Sequence, residues 1–247
     1  MKVLAIESSG LVASVAVLED ERLIAEYTVD YKKTHSQTLL PMLEEIKKNI
    51  ELDMDSIDVI AVSNGPGSFT GLRIGSATAK GLAYALNKPM VEVPTLASLA
   101  YGYYGTDKII CPIMDARREE VYTAVYKFAS SESTPMEYRL QSLIDPVPMP
   151  ISELVEKLNE IGTQYNEKII FVGDGIDVYK NTIADKLNIE YSFGWAGMNR
   201  QRASSVAALG LQLYREGKAV SSLDSHPIYL RLSQAERERI EKNSEKN

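Results

Sequence analysis

Asn64-Gly65-Pro66-Gly67-Ser68-Phe69-Thr70-Gly71-Leu72-Arg73-Ile74-Gly75 sits between a short apolar run and a long stretch of small residues. Upstream, Asp58-Val59-Ile60-Ala61-Val62-Ser63 is β-branched and bounded by turn residues, the pattern of a strand buried on both faces. Downstream, Leu72, Ile74, Ala77, Ala79, Leu82, Ala83 and Leu86 recur at helical spacing until Asn87-Lys88-Pro89 ends the run. The unit is therefore strand, glycine loop, helix. Gly65 and Gly67, on either side of Pro66, let the backbone turn sharply and approach a ligand or a partner. The free N–H groups of the first helical turn, with the helix dipole behind them, favour an anion there. A tight strand-to-helix connection with no ligand has the same pattern, and both readings stand at this point. A Walker loop is excluded, because no Gly-Lys-Ser/Thr follows and the phosphate-gripping lysine is missing.

The chain has 247 residues, 45% of them hydrophobic, which is enough for a substantial core in one large domain or two small ones. A net charge of −7 argues against gripping nucleic acid unaided, since that takes clustered Lys and Arg to displace counterions from phosphates. Any link to RNA is expected to run through a partner. Cys111 is the only cysteine, so an intramolecular disulfide and an all-cysteine zinc site are excluded, and beside Ile109 and Ile110 it reads as a small buried apolar residue. The amino terminus enters a strand pattern without the basic and apolar regions of a signal peptide. No apolar run reaches the ~18 residues needed to span a bilayer. A soluble cytoplasmic protein with no membrane partner is expected.

Lys2 to Ile6 is apolar, Glu7-Ser8-Ser9-Gly10 turns, Val12 to Leu18 alternates, and Glu19-Asp20-Glu21-Arg22 turns again into Leu23 to Val29. This is a three-strand meander. From Ser36 the pattern is helical, with Leu39, Leu40, Leu43, Ile46 and Ile50 on one side and Glu44, Glu45, Lys47 and Lys48 on the other. Ser36 or Thr34 can cap it, and Pro41 is expected in its first turn. After the glycine-loop unit come a strand over Met90–Val93 and a helix from Thr95 to about Tyr101. The second half repeats the theme: strands over 108–114 and 121–128 around the charged turn 115–120, a third strand over 136–144, and a proline-rich connector Pro146–Pro150. A helix capped by Ser152 follows, then a strand over 168–172, the turn Gly173-Asp174-Gly175, a helix over 176–187, and a last helix from about Ser204 to Arg215. Pro227–Arg231 is extended.

Each half is a small sheet followed by helix, strand and helix, which implies a duplicated βββαβα unit. The lobes are residues 1–104 and 105–232, with the boundary near Tyr104-Gly105-Thr106 and a charged tail, 233–247, that frays or forms a short surface helix. The second lobe is the more degenerate, because it lacks a Gly-Pro-Gly loop as strong as the first. A cleft between duplicated halves is a common place for ligands.

Taken together, Ile6-Glu7-Ser8-Ser9, His35-Ser36-Gln37-Thr38-Leu39-Leu40-Pro41, the glycine loop with Ala79-Lys80-Gly81-Leu82, and Asp115-Ala116-Arg117-Arg118-Glu119-Glu120-Val121-Tyr122 resemble one family, the bacterial TsaB (YeaZ) proteins. The likeness runs from Met1 through Arg231. It implies the duplicated α/β fold of actin, Hsp70 and sugar kinases. It also implies a non-catalytic scaffold subunit that pairs with the catalytic paralogue TsaD and helps recruit the ATPase TsaE. Such a subunit supports transfer of a threonylcarbamoyl group to adenosine 37 of ANN-decoding tRNAs, meeting tRNA only through the complex. TsaD holds a metal with a His-x-x-x-His pair just after the strand that follows the glycine-loop helix, and the matching positions here are Thr95 and Leu99. Leucine cannot ligate, no acid lies near Gln201 to Ser205, and the only histidines, His35 and His226, fall in different halves, so no metal is expected.

In this fold type the first hairpin turn carries an acid that organises Mg²⁺ and phosphate, and Glu7 holds that place. With Ser8, Ser9, Gly65 and Gly67 it marks a possible phosphate site at which adenine nucleotide would bind weakly, with no cofactor required. A small-molecule kinase needs a base as well. Asp174 is the nearest candidate and reads equally as a turn residue. A kinase, a glycoprotease-like hydrolase and a nucleotide-binding module without turnover are the alternatives to the scaffold. For the partner surface, Gly71, Gly75 and Ala79 lie four apart on the glycine-loop helix, a stripe that lets another helix approach closely. His35, Leu39, Leu40 and Leu43 lie beside it, with Leu72 and Leu82 adding to a helix that is small or apolar around most of its circumference. These helices either pack on the protein's own sheet or form a four-helix contact with a second subunit, TsaD in the cell and another copy when isolated. The second reading is the expectation.

Overall fold

The computed structural model describes residues 1–130 and 137–231; Met136 of the expected third strand and the tail from 233 lie outside the described residues. The first half runs β1 (Lys2–Glu7), β2 (Val12–Glu19), β3 (Arg22–Asp30), α1 (His35–Asn49), β4 (Val59–Gly65), α2 (Phe69–Leu86), β5 (Met90–Pro94) and α3 (Thr95–Tyr101). The second runs β6 (Ile109–Arg117), β7 (Glu120–Ser130), β8 (Tyr138–Pro150), α4 (Ile151–Tyr165), β9 (Ile169–Val172), α5 (Gly175–Lys186), β10 (Tyr191–Phe193) and α6 (Ala203–Arg215). The sheets are ordered β3-β2-β1-β4-β5 and β8-β7-β6-β9-β10, so the halves share one topology. In each, an antiparallel meander is extended by a parallel strand, β4 beside β1 and β9 beside β6. This is a duplicated α/β fold, with one βββαβα unit in each half.

Because side chains alternate along a strand, β1 serves two cores at once. Leu4 and Ile6 pack with Leu39, Met42, Leu43 and Ile46 of α1 and Ala79 and Ala83 of α2. Val3 and Ala5, with Ala16, Val59 and Ala61, face Ala203, Val206 and Ala207 of α6. Alanines on that face let α6 come close, and a Cβ added at Gly210 would stand 2.7 Å from that of Ala61. On the second sheet, α4 and α5 cover the face of Ile109, Cys111, Ile113 and Phe171. The other face, with Ile110, Met114 and Val172, receives Leu96, Leu99 and Ala100 of α3. The two halves thus exchange helices. α3 closes the first half but covers the second sheet, and α6 closes the second half but covers the first.

Three local expectations change. The proline-rich stretch is not a connector, because β8 runs through Pro146–Pro150 to pair with β7. It forms the outer edge of its sheet, where prolines that cannot donate are tolerated. Pro41 lies inside α1 rather than in its first turn, so the Gln37 carbonyl loses its helical donor. Neither Thr34 nor Ser152 caps through its side chain; Thr34 and Pro150 occupy the N-cap positions with extended backbone.

Candidate functional site

A cavity of about 830 Å³ opens between the lobes. Its walls are the β1–β2 turn (Ser9 to Leu11), the β3–α1 loop (Tyr31 to Ser36), the start of α2, the end of β6 (Met114 to Arg117), Asp174, and a late segment, Ile228 to Arg231. Of the five residues expected to hold phosphate, only Ser9 and Gly67 line it. Glu7 is fully buried behind its own turn, where Oε1 accepts the Ser9 amide at 2.6 Å and the Ser9 hydroxyl at 2.5 Å. Burial pushes its carboxyl above the usual range, against the Ser9 bonds that favour the charge. Through Oε1 the acid holds its own turn together. Ser8 is also buried, and its hydroxyl donates to the Gly71 carbonyl at 2.9 Å.

The glycine loop comes as close to another backbone as its sequence suggests, and that backbone belongs to the same chain. Gly65 has φ +120°, and a Cβ there would overlap the Ile228 carbonyl. A Cβ at Gly67 would overlap the Ser9 carbonyl, which accepts the Ser68 amide at 2.6 Å. Ser68 caps α2, accepting the Gly71 amide at 3.2 Å on its hydroxyl.

The expected partner stripe is corrected on the same grounds. Gly71 and Gly75 are small because Ser8 presses on them, the first meeting its carbonyl and the second its hydroxyl. Leu39, Leu43, Leu72 and Ala79 are buried within this chain, and His35 is engaged with the Gly10 carbonyl at 2.9 Å. Leu40, at 55% exposure, and the half-buried Leu82 are the members left with surface.

A second glycine loop faces the first across the cleft. Gly173 (φ +104°) and Gly175 pack on the Ile113 carbonyl, and the Gly173 amide donates to Asn199 at 3.0 Å. Asp174 lies between them at the N-cap of α5. Burial pushes its carboxyl up to about 6, opposed by the Arg200 charge. Lys32, Lys33, Arg117 and Arg231 also line the cavity, Arg117 paired with Asp115 and Arg231 with Glu120. Arg117, Arg118 and Glu119 at the β6–β7 tip all hold left-handed backbone, with φ between +57° and +64°.

Sequence reasoning missed the segment that closes this cleft. After α6 the chain pairs Val220 with Met90 beyond the edge of β5, and the His226 amide donates to Glu92 at 2.5 Å. The Ile228 amide then donates to the Asn64 carbonyl at 2.7 Å. Tyr229 stacks on Phe69 with centroids 4.5 Å apart, and Arg231 crosses to the other lobe to meet the Ala116 carbonyl and Glu120. The signal available was the extended Pro227–Arg231 pattern, which does not say what it touches.

Thr95 and Leu99, the positions expected from the resemblance to match a metal-ligating pair, are buried on α3 at 0% and 3% exposure. A hydrocarbon and a hydroxyl turned into the protein do not fit a metal. Among the described residues no group of three His, Cys, Asp or Glu side chains is placed to hold an ion.

The family described as TsaD, tRNA N6-adenosine threonylcarbamoyltransferase, matches residues 22–239. A Bacillus subtilis protein named tRNA threonylcarbamoyladenosine biosynthesis protein TsaB is 32% identical over 98% of this chain and 99% of its own. The chain belongs to the TsaB family. The Escherichia coli TsaB is 29% identical over 94% of this chain and 95% of its own. The solved YeaZ from Pseudomonas aeruginosa superposes with a TM-score of 0.70 at 26% identity, covering 93% of this chain and 99% of that one. These three relatives match nearly the whole two-lobed chain rather than one half of it. Among the described residues no helix is long and apolar enough to cross a membrane.

Proposed function

We propose that this chain is a non-catalytic accessory subunit in the threonylcarbamoylation of adenosine 37 of ANN-decoding tRNAs. It pairs with TsaD, helps recruit TsaE, meets tRNA only through that complex and works in the cytoplasm. The observation that carries this reading is the burial of Thr95 and Leu99, on the reading that these positions match the paralogue's metal ligands. The chain needs no cofactor of its own, and adenine nucleotide binds it weakly.

The partner face we propose is the solvent side of α1 and α2. The small stripe that is free on α2 is Ala77, Gly81 and Ala85, four apart and exposed, flanked by Tyr84 at 79% exposure and by Leu40 of α1. A Cβ at Gly81 meets nothing within 4 Å. Because the TsaD family matches this chain across these helices, the partner carries a corresponding pair, and a four-helix contact follows from their shared fold. The same face pairs two copies of this chain when TsaD is absent. The test is co-purification with tagged TsaD: Gly81→Arg should fold and lose the partner. Capture of TsaD undiminished by Gly81→Arg and by Ala77→Arg would remove this face, and failure of the unaltered chain to capture TsaD would remove the subunit reading.

A further inference from the structure

We infer that a second cavity, at the end of the lobe junction remote from both glycine loops, is a binding site for a small planar ring that carries an anionic group. The cavity holds about 810 Å³ and shares no lining residue with the interlobe cleft. Its walls are the β2–β3 turn, the turn after α3, the first residues of β8 and the outer face of α6, so both lobes build it. Tyr101, Tyr104 and Tyr138 form one wall. The Tyr104 ring stands 5.2 Å from that of Tyr101 and 5.6 Å, nearly perpendicular, from that of Tyr138, with Phe128 behind it at 5.5 Å. Its hydroxyl accepts the Tyr138 amide at 2.9 Å, and the Tyr101 hydroxyl donates to Gln212 at 3.1 Å. The rings are therefore fixed before anything binds, which lowers the cost of binding. Tyr104 is still 46% exposed, which leaves ring surface for a flat guest.

The charge of the guest follows from which lining groups already have partners. Asp20 pairs with the terminal ammonium, Glu21 with Arg215 and Glu216 with Lys218, and Glu137 is engaged as well. Among the described residues the Arg139 side chain has no ion pair and no hydrogen bond, and it acts on Glu216 only at longer range. Ser205 is the second unpaired group. It is 9% exposed, and its Oγ is directed at the turn after α3, 3.4 Å from where a Cβ on Gly102 would stand. Native interiors leave few buried hydroxyls without a partner. A guanidinium presents a fork of donors that meets a carboxylate or a phosphate in two parallel bonds, and the serine adds a further donor. An ammonium guest would find no unpaired acid among the described lining residues. The volume lies within the range of small-molecule sites, roughly 300–1,000 Å³.

Aromatic carboxylates and nucleoside monophosphates share this chemistry, and NMR titration of the full ¹⁵N-labelled chain separates them. The probes are 4-hydroxybenzoate and AMP, with cyclohexanecarboxylate as the anion without an aromatic ring and 4-hydroxybenzamide as the ring without the charge. At least one of the first two should shift the amides of Tyr104, Tyr138, Arg139 and Ser205 saturably, with a Kd of about 1 mM or tighter. Each control should bind about tenfold more weakly. Arg139→Gln should weaken binding about tenfold and leave the melting temperature unchanged, because the side chain is exposed and unpaired, and Arg139→Lys should restore only part of the loss. Shifts confined to the interlobe cleft, controls that bind as well as the probes, or Arg139→Gln binding undiminished overturns the proposal. So does the absence of a saturable shift with both probes.

Discussion

The two glycine loops are products of one structural unit, and each is closed by a different stretch of the same crossover. Gly65-Pro66-Gly67 receives the backbone of Ile228, and Gly173-Asp174-Gly175 receives that of Asn199. Asn199 precedes α6 and Ile228 follows it, so one helix delivers both closures from its two ends. The loops differ in what stands between the glycines. Pro66 adds no charge, and its neighbours are aromatic, Phe69 beneath Tyr229. Asp174 brings a carboxylate into a poorly solvated corner, balanced by Arg200, which is itself shared with Asp177 and Asp30. A backbone shape suited to holding a ligand has become an intramolecular joint in both places, packed by rings in one and by charges in the other.

The comparison breaks most sharply at the glycines. Gly65→Ala and Gly173→Ala each place a Cβ on left-handed backbone and into a carbonyl, which should cost about 4 kcal/mol or more in urea unfolding. They should then part company. Shortening the chain to Ser225 should recover part of the Gly65→Ala loss, because the carbonyl in the way is that of Ile228. It should recover none of the Gly173→Ala loss, because Ile113 lies within its sheet.

The next effect acts on both joints together. Glu26, whose side chain is 5% exposed, accepts the Ser204 amide at 2.9 Å and hydroxyl at 2.8 Å at the start of α6 and pairs with Arg202. Glu26→Ala should cost about 3 kcal/mol by uncapping that helix and stranding a half-buried guanidinium. Exchange at the Gly173 and Ile228 amides should accelerate in parallel; acceleration at one alone would separate the joints.

Asp174→Asn sharpens the contrast of charge. A carboxyl raised to about 6 keeps its proton in the native state after the unfolded chain has lost it. Stability therefore falls as pH rises from about 4 to about 6 and is level above that. Asparagine removes the fall, so the variant should gain about 2 kcal/mol at neutral pH and nothing near pH 4, read as melting temperatures at the two conditions. The smallest change in stability, a gain of about 0.5–1 kcal/mol, belongs to Gly81→Arg in the exposed interior of α2, which should alter partner capture and leave both loops untouched.

Much of this architecture was legible in the chain because its signals are local. The strand, loop and helix around Gly65 follow from hydrophobic period, and so does the repetition that reveals two halves. What was not legible depends on contacts between distant residues. The fullness of α2 led to the expectation that it is covered on more than one side, and did not say that Ser8 covers Gly71 and Gly75 while Ala77 and Gly81 stay open. Glu7 carries the right chemistry for an ion, but only the fold shows Ser9 turning back to take its oxygen. The prolines of β8 speak against a strand until its place at a sheet edge is known. Ile228 meets Asn64 and Gly65 from the far end of the chain, with no pattern in between to announce it.

The exchange of α3 and α6 bears on how the protein is made. The apolar face built from Val3, Ala5, Val59 and Ala61 has been synthesised long before Ala203, Val206 and Ala207 exist to cover it. Chains emerge from the ribosome at about 5–20 residues per second, so that face waits for seconds in the nascent polypeptide. Its alanines and valines are small and lie flat against the sheet, a modest hydrophobic surface to leave uncovered during translation. The amino-terminal lobe reaches its final form only when the carboxy-terminal lobe has been threaded past it, and neither is complete as a separate product.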